Sequence, residues 1–179
     1  MYESELLLPF YSYKYPLRIL TAIGLIAISA LVWTPSSRAA NIEILAGRSV
    51  TTQQRWTDTV FIASVGSWRP LDGSGNWRWA PTAGLGEFKA RSTHQENLDH
   101  ASLIVYGGAR LSGWWRQAFV SFGVGLTKYR TDALSSPYEF VSSLGWQSPR
   151  YVLMLRHISN AKLHQPNLGE TMLLGGLRF

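Results

Sequence analysis

Four polar residues near the C-terminus, His157, Ser159, Asn160 and Glu170, are of the types that nucleophilic chemistry requires. A serine hydroxyl needs a base to take its proton. An imidazole base in turn needs an acid partner that fixes its tautomer and stabilises the imidazolium. His157 and Ser159 are two residues apart, so in an extended strand they project from the same side and become neighbours. Glu170 opens the next alternating segment and can return alongside His157 if the two segments form a hairpin. Asn160 can offer its side-chain or backbone N–H groups to an oxyanion. Leu155, Leu153 and Tyr151 continue the face of His157, whereas Arg156 and Arg150 lie on the other. A catalytic pair at the end of an apolar stripe suits an apolar substrate.

The elements that must position this pair are strands. Turn signals divide residues 40–179 into eight segments of alternating character, approximately Ile42 to Arg48, Trp56 to Trp68, Asn76 to Ala90, Ala101 to Leu111, Trp114 to Thr127, Tyr138 to Gln147, Arg150 to Asn160 and Glu170 to Phe179. Most are near the length of a tilted membrane-spanning strand. In the fifth, Ala118, Val120, Phe122, Val124 and Leu126 form a lipid-suited face, opposite Gln117, Phe119, Ser121, Gly123 and Gly125. The connections alternate too: Leu111-Ser112-Gly113 and Ser148-Pro149 are tight, while 91–100, 128–137 and 161–169 are long and polar. Short turns at one end and long loops at the other are the habit of outer-membrane barrels, with the short turns in the periplasm. Only Arg69 to Gly75 is longer than that habit allows. The expectation is an all-β fold, an eight-stranded antiparallel up-and-down transmembrane barrel over residues 40–179.

Residues 1–39 read as a cleaved signal peptide. The apolar run Ile19 to Trp33 follows Lys14 and Arg18, is short for a spanning helix, and precedes a small-x-small pattern with cleavage near Ala39 or Ala40. The chain has no cysteine, which excludes disulfide frameworks and Cys metal sites. A net charge of +6 admits nucleic acid or an anionic lipid as partner, but the eight Trp, eight Tyr and 16 Gly favour β-structure at a membrane interface. Trp114-Trp115 and the pair Trp77 and Trp79 fit an interfacial girdle better than base-stacking platforms. His94 and His100 lack a third ligand, so no metal is assigned, and no cofactor is expected.

With the first strand rising from the periplasm, the seventh runs outward and carries His157 and Ser159 to the outer leaflet. In a Gram-negative outer membrane that leaflet is lipopolysaccharide, whose lipid A bears ester-linked hydroxyacyl chains. Here the chain resembles the lipid A 3-O-deacylases of the PagL type, through His157-Ile158-Ser159-Asn160, Gln165-Pro166-Asn167 and the Glu that follows. The resemblance implies an esterase in which His157 is the base, Ser159 the nucleophile and Glu170 the orienting acid, hydrolysing the ester at position 3 of lipid A on the outer barrel surface without a metal. In that family's pattern the Glu follows the His by one residue more than here.

Parity complicates the acid. If Phe179 faces lipid, strict alternation turns Glu170 inward, and a bulge at Gly175-Gly176 is the expected device that returns it outward. Lys162, Lys128 and Arg130 fall in the outer loops, where they are expected to hold the lipid A phosphates. The expected partners are therefore lipopolysaccharide and the outer membrane, not nucleic acid, with a homodimer left open. Two other readings stay open: a non-enzymatic structural or adhesive small barrel, and a lipid A acyltransferase, which needs a phospholipid donor and an interior able to hold an acyl chain.

Overall fold

The computed structural model describes residues 40–71, 73, 76–93 and 95–179; the expected leader at 1–39 and His94 lie outside them. The strands are β1 (Asn41–Val50), β2 (Trp56–Val65), β3 (Arg69–Pro70), β4 (Arg78–Phe88), β5 (Ser102–Ser112), β6 (Ala118–Lys128), β7 (Tyr138–Gln147), β8 (Tyr151–Ser159) and β9 (Glu170–Arg178). Each long strand pairs antiparallel with the next, β2 pairs with β4, and β9 returns to β1. The result is a closed eight-stranded antiparallel barrel with one extra two-residue strand. Closure gives each of the eight long strands a partner on both sides, so the ladder satisfies the backbone all the way round, and β3 alone pairs on one side, with β4.

Each of the eight expected segments overlaps one long strand, and the overlong Arg69 to Gly75 stretch has a structural reason. Val65 pairs with Thr82 in one register and Arg69 with Trp79 in a register shifted by one, so residues 66–68 form an irregular step and β3 extends the β2–β4 hairpin. What reads as a long turn is a continuation of the strand pair.

Alternation assigns the two faces. Outward side chains such as Val105, Phe122, Leu126, Leu153, Leu155 and Leu173 are each more than half exposed, while Phe61, Phe88, Phe119, Met154 and Leu174 are buried within. An eight-stranded barrel is just wide enough for side chains to fill. Large rings fit only where a neighbour has no side chain: a Cβ at Gly86 would collide with the Phe61 ring, and one at Gly145 with that of Phe119. The interior is thus a mixture of glycine and bulky rings.

Buried charges complete the filling. At the end with the short turns, Arg110 makes a two-pronged contact with Glu43 at 2.7 and 2.8 Å and reaches Gln147 at 2.9 Å. Arg178 approaches the same carboxylate at 3.1 Å. Arg156 donates to Ser143 at 3.0 Å and lies over the Phe61 and Tyr106 rings. Glu43→Ala would leave Arg110 and Arg178 buried without their shared carboxylate. It should cost about 3–5 kcal/mol, read as a lowered urea midpoint for the barrel in detergent micelles.

The opposite end, called the upper end below, is closed by its long connections. Leu98, Ala133 and Leu134 are fully buried and join the barrel core. Backbone bonds stitch the connections together: Asp132 N–H to Asn97, Leu168 N–H to Asp132, Gly169 N–H to Ala133 and Thr52 N–H to Leu168. Residues 168 and 169, which lead into β9, are therefore held by three backbone bonds from two neighbouring connections.

Candidate functional site

His157 and Ser159 both project outward near the upper end of β8, at the top of the exposed stripe formed by Tyr151, Leu153 and Leu155. Strand alternation alone puts them there. Across the β8–β9 ladder His157 faces Thr171, and its Nδ1 lies 2.9 Å from Thr171 Oγ1. On the other side it faces Ser142, whose Oγ contacts the His157 carbonyl at 3.4 Å. A proton on Nδ1 donated to the threonine leaves Nε2 with a lone pair, which is the state a general base needs.

Gly169 forms the back wall. Its φ is +64°, in the left-handed region that glycine accepts without penalty. A Cβ placed there would lie 3.2 Å from His157 Cε1 and 3.6 Å from Ser159 Cβ, so this residue fits against both members of the pair. The N–H of Gly169 is held by the Ala133 carbonyl at 3.0 Å, which anchors the wall to the loop cluster.

Glu170 is not where the expected triad needs it. Pairing is regular along β9 on both sides, with Gly175 opposite Leu153 and Ala46 and Gly176 opposite Val152 and Leu45, so the expected bulge is absent. Glu170 therefore keeps the parity of Met172 and Leu174 and points into the barrel, where its carboxylate pairs with Arg91 and accepts a hydrogen bond from Ser49. Its position is that of an interior anchor, not of a partner to His157.

Asn160 is likewise corrected. Its side chain is fully buried and donates to Ser135 Oγ at 3.0 Å, and its backbone N–H is directed at Asn167 Oδ1 at 3.5 Å. These contacts hold the connection after β8 in place. They turn the expected oxyanion donors away from Ser159.

Lys162, Lys128 and Arg130 are all exposed at the upper end, Lys162 three residues beyond Ser159 and the other two at the top of β6 and in the connection that follows. Lys128 Nζ lies 5.2 Å from the centre of the Tyr129 ring. The Arg130 carbonyl accepts from His100 Nε2 at 3.1 Å, while His100 Nδ1 contacts the Asp99 carboxylate at 2.9 Å and holds that carboxyl below its usual pKa. Among the described residues no group of three potential metal ligands occurs.

Sequence reasoning missed Thr171 and Gly169. The register that sets 171, not 170, opposite 157 is a property of the folded ladder, and the one sequence signal for it is parity, because only every second residue of β9 shares the outward face. Compared with known proteins, the chain matches no family model, no curated protein and no solved structure.

Proposed function

We propose that the chain is an outer-membrane esterase of a Gram-negative bacterium that hydrolyses the 3-O-linked hydroxyacyl chain of lipid A. The observation that carries this reading is the Ser159–His157–Thr171 group on the outward face, at the upper limit of an exposed apolar band. Polar side chains facing hydrocarbon cost free energy unless partnered or used, so a chemical role accounts for them better than packing does.

In the reaction, Ser159 Oγ attacks the acyl carbonyl while His157 Nε2 takes its proton. The tetrahedral intermediate collapses with cleavage of the bond to the sugar oxygen, which receives that proton, leaving the acyl group on Ser159. Water activated by His157 then releases the hydroxy acid. Thr171 positions the imidazole through Nδ1. The family the chain resembles carries its acid one residue further from the His than Glu170 stands, and that position here is Thr171. A hydroxyl orients the ring but carries no charge to stabilise the imidazolium, so the proposed enzyme is a slow one.

The packed interior bears on the acyltransferase reading: Phe61, Phe88, Phe119, Met154, Arg110 and Arg156 occupy the space that an acyl chain would need. The test is direct. Folded barrel in detergent micelles, mixed with lipopolysaccharide, should release free 3-hydroxy fatty acid and no other acyl chain; no release by barrel shown to be folded would remove the esterase.

Lys162, Lys128 and Arg130 are proposed to hold the lipid A phosphates. Each exposed contact contributes about 1 kcal/mol or less and is screened by salt. Replacing all three with Ala should raise KM more than it lowers kcat, because they bind ground state and transition state alike. Steady-state kinetics at two ionic strengths would check this, and a loss confined to kcat would contradict it.

A further inference from the structure

The extended β2–β4 hairpin, longer than a barrel turn requires, shapes a second feature at the lower end, far from His157. Leu71 beyond β3, together with Trp79, Ala109, Leu111, Val120 and Phe122 on the outward faces of β4, β5 and β6, lines a groove of about 390 Å³. That is within the range of small-molecule clefts, and the lining is almost wholly apolar. The Arg69 guanidinium stacks over Trp79, itself part of the groove, 5.3 Å from the ring centre. Arg78, on the other face of the same short ladder, lies 5.4 Å from the centre of the Trp68 ring. Among the described residues neither guanidinium is within ion-pair distance of a carboxylate. Asp72, the one acidic residue of the hairpin tip, lies outside the described residues. Exposed Trp77, Trp114 and Trp115 line the same end. Tryptophan prefers the level at which head groups meet hydrocarbon, which places the mouth of the groove at that depth.

We infer that this groove binds an anionic glycerophospholipid of the inner leaflet, with one acyl chain against Leu71, Leu111 and Phe122 and the phosphate on Arg69. Charge selects the class of lipid. Arg69, stacked on Trp79 and with no carboxylate partner among the described residues, presents its donors to a phosphate, and Arg78 adds to the positive field at the rim. The two-residue extension gives the groove its overhang, because Leu71 follows β3 directly and its N–H is held by the Trp77 carbonyl at 2.9 Å. The inference rests on the proposed membrane setting of the barrel, not on the esterase chemistry.

The experiment is native mass spectrometry of delipidated barrel offered equal amounts of phosphatidylglycerol and phosphatidylethanolamine. Wild-type barrel should retain the anionic lipid about tenfold over the zwitterionic one. Arg69→Gln with Arg78→Gln should erase the preference, and Ala109→Trp, which fills the groove, should lower retention of both lipids. Equal retention by wild type, or a preference unchanged in the double variant, would overturn the inference. Hydroxy-acid release measured on the same preparations separates the two claims. Release with equal lipid retention defeats this one alone, and a lipid preference without release supports it while removing the esterase.

Discussion

Ser159→Ala is expected to lower hydroxy-acid release by about five orders of magnitude or more, the scale on which loss of a nucleophile acts in a well-characterised serine hydrolase. In the proposed mechanism this hydroxyl forms the acyl intermediate, and what survives its loss is the small catalysis that binding alone provides. His157→Asn should fall to nearly the same level, because an alkoxide generated without a base is vanishingly scarce at neutral pH. The double variant should be no worse than either single one, since the two groups act as a unit. Neither change touches the barrel interior: both side chains point outward and the ladder between β7, β8 and β9 is made by the backbone. Heat-modifiable electrophoretic mobility should therefore match wild type. A folded Ser159→Ala barrel that deacylates at the wild-type rate would end the assignment.

Thr171→Glu is expected to raise kcat, by on the order of 10²-fold. The Thr171 hydroxyl already lies 2.9 Å from His157 Nδ1. A carboxylate grafted there would keep the ring orientation and add the charge that stabilises the imidazolium as the serine proton arrives. Thr171→Val should do the opposite, lowering kcat with little change in KM, and Thr171→Ser should retain activity because it keeps the oxygen. Glu170→Gln separates the two neighbours. It removes the charge that faces Arg91 inside the barrel, so it should lower the urea midpoint and leave kcat of the folded fraction close to wild type. The reverse pattern, with kcat collapsing at 170 and indifferent at 171, would restore Glu170 as the acid and require β9 to shift by one residue.

The barrel was legible because its physics is local. Val120, Phe122, Val124 and Leu126 alternate with Ser121, Gly123 and Gly125, and a two-residue period with one apolar face leaves little freedom in how a strand sits. The outward placement of His157 and Ser159 on β8 was legible for the same reason. Glu170 was not, because a bulge is a choice made jointly by three strands: Gly175-Gly176 permits one, but regular pairing to β8 and β1 along the whole of β9 removes the occasion for it. The Arg91 that holds Glu170 inside comes from the connection after β4, a distant part of the sequence whose arrival no pattern announces. Asn160 failed on a similar ground, since its partner Ser135 is brought to it by the stitching of the loops. The step at residues 66–68 hid β3 because two residues are too few to display a period.

The central claim, that an outward-facing serine on this barrel cleaves an acyl ester of lipid A, is tested most directly by the mass of lipid A from Gram-negative cells expressing the chain, beside cells expressing Ser159→Ala. With wild type, lipid A should be lighter by one 3-hydroxyacyl group, and with the variant its mass should be unchanged. Lipid A of the same mass in both cultures, from membranes in which the wild-type barrel is folded, would contradict the account.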